Sequence, residues 1–401
     1  MTVAERRASG SLAVVFAARM LGLFLVLPVF ALEAVRYPGG QDAVLVGLAM
    51  GIYGLTQGVL QIPFGMASDR YGRKRVIILG LLVFAAGSFV AAAADSLLGL
   101  TIGRSLQGAG AVSAAVTALL ADQTRDAVRT KAMTLVGASI GLMFALSLVA
   151  APLLAARTGL AGLFAITGVL ALACIGVVAW WTPPEPAVHK NAPRGRLAEV
   201  LSHSGLLRLD VGVFVLHAVQ LAMWVAIPAL LVQAGLDQPH HWWVYLPTVL
   251  GSFVVMGFTL YPLERRGYLR ALFLASVGLV ALVQVGLLLA ARQPGVALLA
   301  VLLFAFFCAF NVLEASLPSM VSRMAPPHAR GAALGVYNTL QSLGFFAGGA
   351  MGGWMAKHVG SRGLFAACAA LMLLWLVVAW PMRAPVASKS QQTGPGEAQA
   401  T

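Results

Sequence analysis

Residues 65–75 read Gly65-Met66-Ala67-Ser68-Asp69-Arg70-Tyr71-Gly72-Arg73-Lys74-Arg75. The chain on either side is uncharged, from Ala43 to Ser68 and from Val76 to Ala94. Each flank has the roughly 20 apolar residues that a helix needs to cross a bilayer. The passage therefore reads as a tight polar turn between two membrane helices. Gly65 and Gly72 permit the turn, and Arg70, Arg73, Lys74 and Arg75 mark it as cytoplasmic. Neither role calls for Asp69, an acid in an otherwise basic loop.

The same alternation runs through all 401 residues, of which 60% are hydrophobic and 10% charged. A soluble domain is about a quarter charged, so the composition excludes a soluble enzyme, a nucleic-acid binder and a disordered chain. The net charge of +13 does not point to nucleic acid, because the cations fall in short clusters between apolar runs. Cutting at charge, proline and glycine clusters yields twelve spans, at 11–33, 43–65, 76–94, 97–121, 132–156, 159–181, 209–235, 242–262, 270–291, 295–320, 331–356 and 361–382. They are apolar all round, which excludes alternating barrel strands. The expectation is an all-α membrane protein with twelve transmembrane helices in two pseudo-symmetric six-helix bundles. The bundles are residues 1–181 and 209–382, joined by a cytoplasmic linker, 182–208, and followed by a disordered tail, 383–401. The linker holds Pro183, Pro184, Pro186 and Pro193 with Lys190, Arg194 and Arg196, and Leu197, Val200 and Leu201 are spaced for a short surface helix. Arg19 interrupts the first apolar run, so that run reads as a retained helix rather than a cleaved signal. Cys174, Cys308 and Cys368 lie inside apolar runs, with no disulfide or metal spacing.

Of the 27 Lys and Arg, five (Arg36, Arg157, Arg292, Lys357 and Arg362) fall on one side of these spans, and Arg19 and Arg104 lie within them. The other twenty fall on the side of the termini, which is therefore cytoplasmic. The halves also repeat: Pro28 matches Pro228, Asp69 matches Glu264 and Arg129 matches Arg330, at offsets of 200, 195 and 201 residues. Parallel repeats of this kind build rocking-bundle transporters.

At this point a resemblance enters. The 65–75 loop resembles the signature loop of the major facilitator superfamily. Arg104-Ser105-Leu106-Gln107-Gly108-Ala109-Gly110-Ala111 is similar to the second motif of that family's proton-coupled drug-export branch. The stretches from Arg19 to Val29, from Asn311 to Ser319 and from Gly335 to Thr339 resemble the YajR-type exporters more narrowly. The resemblance covers residues 10–382. It implies proton-coupled efflux of a small molecule by a monomer in a bacterial inner membrane, with no cofactor. It also implies a gate in which Asp69 faces the start of span eleven near Arg330 and Gly331, loop arginines pair with Asp122 after span four, and Arg129 takes part. Two features depart from the pattern. The antiporter motif of span five keeps Gly137, Gly141 and Pro152 without its Gly-Pro pair, and the tail is too short for the soluble C-terminal domain some YajR-type proteins carry.

The polar residues inside the spans are candidate coupling and cavity residues. Arg104 is costly there unless paired, by about 2.5–3.5 kcal/mol; it reads either as a charge tuning a proton site or as a side chain snorkelling to headgroups, with Gln107 beside it. Glu314 reads as the only acid well inside a span, sharing a helix face with Asn311. His217 and Arg19 lie at similar depth, which makes either a possible moving cation beside Glu314. The plain alternative is a static polar cluster holding helices together, and Glu33 at the end of span one can simply reach water. Gln57 and Gln61 are expected to line the cavity, whereas Trp224, Trp242 and Trp243 read as interfacial or packing aromatics.

The leading function is proton-coupled export of an amphipathic or drug-like compound. The alternatives are uptake of a sugar or organic acid, and a membrane sensor that moves nothing. No HExxH, Gly-x-Ser-x-Gly or paired membrane aspartates speak for an enzyme, and no nucleotide loop of the Gly-x4-Gly-Lys type is present, so an ion gradient must supply the energy.

Overall fold

Every regular element among the described residues, 1–110, 112–185, 197–326 and 329–382 of a computed structural model, is helical. A capping box starts α1 (Val3–Phe24), with the Thr2 hydroxyl accepting from the Glu5 N–H and the Glu5 carboxylate accepting from the Thr2 N–H. Pro28 has no N–H to donate back to that helix, and the chain restarts as α2 (Leu27–Glu33). Asp42 caps α3 (Ala43–Tyr71), and Gly72, at φ +99°, separates it from α4 (Arg73–Ala92). Then follow α5 (Leu97–Ala109), α6 (Ser113–Asp122) and α7 (Asp126–Gly176), whose last turn widens to a π-helix over Val177–Trp181. After the short α8 (Leu197–Ser202) come α9 (Ser204–Gln233), α10 (Trp242–Arg265), α11 (Leu269–Ala290), α12 (Val296–Met324), α13 (Arg330–His358) and α14 (Gly360–Ala379). The linker segment 186–196 and the tail 383–401 lie outside the described residues.

Nine helical stretches among the described residues are long and apolar enough to cross a bilayer. The twelve expected spans differ from these at three places, each with a physical reason. Span four is broken at Gly110 into α5 and α6, of 13 and 10 residues. Spans five and six run together through Gly159, whose φ of 61° and ψ of −166° belong to glycine. Span eleven, α13, is long enough but diluted by seven glycines between Gly331 and Gly353. Span seven also begins earlier than expected, because α9 starts at Ser204 rather than at 209.

Glycine decides how the two halves of the chain meet. α13 packs along α3 on one side and α9 on the other, the two most extensive helix pairs in the molecule. A Cβ on Gly47 would lie 2.2 Å from the Gly349 carbonyl oxygen, and one on Gly349 would lie 2.5 Å from the Gly47 oxygen. Gly51 against Phe346, Gly54 against Ser342 and Gly353 against Ala43 repeat the fit. Small residues let helix backbones approach this closely, and dispersion then acts along the whole seam. The seam spans residues 43–58 and 339–353 and stops there: Gly65 meets only Ala114 of its own half, and Gly331 and Gly335 meet nothing within 4 Å. The halves are thus joined at one end of the helices and part at the other. The parted end carries the 65–75 loop and the start of α1, and is called the basic end below.

At the basic end, cations cap the last carbonyls of corresponding helices in each half. Arg7 donates to the Trp181 and Trp180 carbonyls at 2.6 and 3.0 Å, and Lys74 donates to that of Thr182 at 2.6 Å. In the second half Arg270 donates to the Met382 and Trp380 carbonyls at 2.8 and 2.6 Å. The C-terminal carbonyls of a helix lack partners and carry negative partial charge, so a cation suits both.

The seam makes a direct prediction. Gly349→Val should wedge the joined end open and lower stability by about 1–3 kcal/mol, as overpacking does. Gly335→Val, in open space, should do neither. Distances between spin labels at Gln41 and His358 check this, and an unchanged distance in Gly349→Val would contradict the seam's role.

Candidate transport site

Glu314, His217 and Gln341 come together from three helices. α12 brings Glu314, α9 brings His217 and α13 brings Gln341. The His217 Nδ1 lies 2.8 Å from the Val213 carbonyl oxygen, so it carries the proton and donates one turn back along α9. The Gln341 amide nitrogen lies 2.8 Å from His217 Nε2 and donates to Glu314 Oε1 at 3.2 Å. Glu314 Oε2 is 3.2 Å from His217 Nε2. The edges of Phe310 and Phe345 enclose the imidazole. His217 is 2% exposed and Glu314 39%, so the acid is partly exposed while the histidine is buried. A carboxylate and an imidazole in this arrangement can exchange a proton with solvent and share it between them.

Arg19 does not join them. Its guanidinium donates to Ser113 Oγ, to the Tyr53 hydroxyl at 3.0 Å and to Gln57 Oε1 at 3.0 Å, all in the first half. Of the two cations expected beside Glu314, only His217 is there, because α1 turns Arg19 toward α3 and α6. Gln57 carries the first-half network across the seam, donating to Ser342 Oγ at 3.1 Å. Arg104 is 1% exposed, which excludes snorkelling. It donates to the Met50 carbonyl at 3.1 Å and to Gln107 Oε1 at 3.5 Å, lies over the Tyr53 ring at 5.1 Å, and touches no carboxylate among the described residues. Gln107 reaches Ser88 at 2.8 Å. The glycines of that motif serve packing: a Cβ on Gly108 would strike the Tyr53 carbonyl at 2.2 Å, and one on Gly110 that of Gly80 at 2.5 Å. Asn311 turns to α10, donating to Ser252 Oγ at 2.8 Å, and does not reach the Glu314 cluster. Gln61 is buried with neither amide atom hydrogen-bonded among the described residues.

At the basic end Arg73 pairs with Asp69 and, at 3.1 Å, with Asp122. The second half echoes this with Arg323 on Glu264. The expected reach of Asp69 to Arg330 and Gly331 is not made, since the halves are apart here and Asp69 is paired within its own loop. Arg70 stacks on Tyr71 at 5.4 Å. Arg330 opens α13 exposed, and the side chain of Arg129 lies outside the described residues. Glu185 instead caps α4, accepting from the Arg73 and Lys74 N–H groups at 2.9 and 2.5 Å. At the joined end Lys357 donates to Asp42 at 2.7 Å and Gln238 to Glu33 at 3.0 Å, each across the two halves.

The family described as the Major Facilitator Superfamily matches residues 12–349 and, in a second alignment, 212–400. The chain belongs to the major facilitator superfamily. It is 43% identical over 390 residues to the inner membrane transport protein YajR of Escherichia coli K12, covering 96% of this chain and 85% of that one. It is 27% identical to the multidrug resistance protein MdtH of Aeromonas salmonicida, covering 86% of both chains. Among solved structures the D-xylose-proton symporter superposes with a TM-score of 0.74 at 15% identity, covering 94% of this chain and 98% of that one. The protein is thus a multi-pass membrane transporter and not an enzyme. Among the described residues no His, Cys, Asp and Glu cluster could hold a metal ion.

Sequence reasoning missed Gln341, Ser342, Tyr53 and Ser113. All are neutral polar residues without a charge to draw notice. It also missed Glu185, whose role depends on a fold-back over 112 residues.

Lys357 first, and the Val44 N–H second, hold the Asp42 carboxyl below its ordinary range. A lowered acid contributes its stability above the ordinary aspartate value of about 3.9 and loses it as pH falls through the lowered value. The contribution of this pair to closure of the joined end should therefore stay constant from about pH 5 to 8. Asp42→Asn should remove it at neutral pH. A difference between wild type and mutant in label distance that varied across that range would contradict the pairing.

Proposed function

We propose that the protein exports a small amphipathic or drug-like compound in exchange for protons, by alternating access between bundles 1–181 and 209–382 joined by the linker 182–208. The basic end faces the cytoplasm by its excess of cations, and the membrane is a bacterial inner membrane. The present state opens the cleft to the cytoplasm. Export direction is supported by the name of the MdtH relative and by the apolar spans around the cleft.

The observation that carries the reading is the Glu314–Gln341–His217 cluster. With neutral His217, Nε2 accepts from the Gln341 amide. A proton on Nε2 turns that acceptor into a donor aimed at Glu314 Oε2, and the Gln341 N–H must let go. Ser342, the next residue of α13, holds Gln57 across the seam. Proton uptake therefore disturbs the helix that joins the halves, one residue from the joint. A ligand shifts such an equilibrium only through unequal affinity for the two states, and a group whose partners change between states has that property.

In the opposite state the basic end closes. Asp69 then exchanges Arg73 for the positive end of α13, beside Arg330, while Gly65, Arg70, Gly72, Arg73, Asp122 and Arg129 form the latch. The Gln61 amide and the Arg104 cation, expected at the cavity, are instead buried within the first half and take no part in the proton site. The likeness to the xylose symporter is one of fold alone, and no contact here favours a sugar.

Glu314→Gln, which mimics the protonated acid, should abolish proton-driven accumulation in proteoliposomes and leave substrate binding intact. If the mutant keeps wild-type pH dependence and full accumulation, the proton-site reading is wrong. Asp69→Asn should leave insertion intact and shift the equilibrium severalfold toward the state open at the basic end, given the modest size of charge–dipole contacts. Cysteine accessibility at both ends reads that shift, and an unaltered distribution would remove Asp69 from the latch.

A further inference from the structure

α4 and the final stretch of α7 lie side by side and antiparallel, from Phe89 packed on Gly168 to Lys74 bonded to the Thr182 carbonyl. Both turn apolar side chains outward: Leu79 and Leu82 from α4, Val169 and Leu172 from α7, all exposed within spans. In a chain that crosses a bilayer, such a surface meets acyl chains. Toward the basic end the pair finishes at Trp180, which is 83% exposed. An exposed indole at the end of a span marks the level of the headgroups. Beside Trp180 opens a cavity of about 560 Å³, walled by Ala4 and Arg7 of α1, by Lys74 of α4 and by Pro183. That volume falls in the range of roughly 300–1,000 Å³ typical of small-molecule sites.

Arg7 and Lys74 give this cavity its charge, and both keep donors in reserve. Arg7 spends Nε and Nη2 on the Trp181 and Trp180 carbonyls, while its Nη1 has no hydrogen-bond partner among the described residues. Lys74 uses one of its three ammonium hydrogens on Thr182. The acid beside them, Glu185, accepts from the backbone N–H groups of Arg73 and Lys74. Two cations and the positive end of α4 thus stand against one carboxylate, and the cavity keeps a net positive charge. A cation pair, a small cavity at the headgroup level and an apolar track leading away from it coincide here. A soluble anion would use the first two and leave the track unexplained.

We propose that this cavity binds the headgroup of an anionic phospholipid from the leaflet at the basic end. The phosphodiester accepts from Arg7 Nη1 and the Lys74 ammonium, Trp180 lies at the glycerol level, and the acyl chains run along Leu79, Leu82, Val169 and Leu172. A zwitterionic lipid would bring its own ammonium against these two cations, so the site selects for net negative charge. The lipid holds together the start of α1, the start of α4 and the end of α7, all of the first half. Lys74 follows Arg73, which pairs with Asp69 and Asp122, so the bound headgroup lies one residue from the loop ion pairs. The site is independent of proton coupling at Glu314.

Fluorescence quenching of the full chain in phosphatidylcholine vesicles tests this. Phosphatidylglycerol or phosphatidylcholine with brominated acyl chains is added in steps, and the difference between wild type and Trp180→Phe isolates the Trp180 signal. A cation near an anionic surface is worth about fivefold in affinity, so two should let phosphatidylglycerol quench at a mole fraction about tenfold or more below phosphatidylcholine. Lys74→Gln should lose most of that preference. Ala4→Phe, which fills the cavity and leaves both cations in place, should lose it too, and stands as the test should Lys74→Gln not fold. Arg75→Gln, exposed at the same end but outside the cavity wall, should keep it. Equal quenching by the two lipids overturns the proposal, as does an equal loss in Arg75→Gln and Lys74→Gln, which would mean diffuse attraction to the surface. Soluble glycerol phosphate at millimolar concentration should leave the quenching unchanged; its displacement of the lipid signal would assign the cavity to a free anion and overturn the lipid.

Discussion

Backbone-to-backbone contact between α3 and α13 is the constraint on which the rest of the molecule depends. Within a bilayer no hydrophobic force draws helices together, so a joint between halves must come from close packing and a few polar bonds. Glycine at Gly47, Gly51, Gly349 and Gly353 brings the carbonyls of facing helices into contact. Such a joint is tight when made, holds little apolar area in reserve, and ends where the glycines end. That is why the same two helices are in contact over one stretch and separated over the next. The ion pair of Lys357 with Asp42 and the bond of Gln238 to Glu33 add polar closure at the joined end.

The buried polar groups are distributed on the two sides of this joint. Arg19, Tyr53, Ser113 and Gln57 form one network, and Glu314, His217 and Gln341 the other. Gln57 and Ser342 connect them. In a medium of low dielectric each of these groups needs its partners, so a change of protonation in one cluster alters bonds that reach the seam. On the proton-coupled reading this is the physical link between chemistry and movement: the histidine ring cannot both accept from Gln341 and donate to Glu314. Arg104 belongs to a different role. Its partners are a carbonyl, the Gln107 amide oxygen and an aromatic face, and the glycines around it set the distance between α3, α4 and α5.

Much of this was legible in the sequence, and the exceptions have causes. The 65–75 loop, the excess of cations on one side and the long uncharged runs follow from the cost of charge in hydrocarbon, which a sequence records directly. The meeting of Glu314 with His217 followed from charge and depth, and the pairing of a loop arginine with Asp122 from the family resemblance. Depth alone misled for Arg19, because rotation about a helix axis decides which neighbour a side chain meets and depth does not contain it. Asp210 was passed over since it begins a span, where an acid ordinarily reaches headgroups; α9 extends five residues further and buries it. The break at Gly110 and the low hydropathy of α13 likewise trace to glycines placed for close approach, which dilute the apolar signal that span counting relies on.

The central claim is that the halves rock about the α3–α13 seam as protons bind. Two pairs of spin labels, one across the joined end and one across the basic end, measured in liposomes from neutral to acid pH, test it most directly. The account predicts reciprocal change, with one distance lengthening as the other shortens, and loss of that response in Glu314→Gln. Distances that stay fixed with pH, or that lengthen and shorten together, would contradict it.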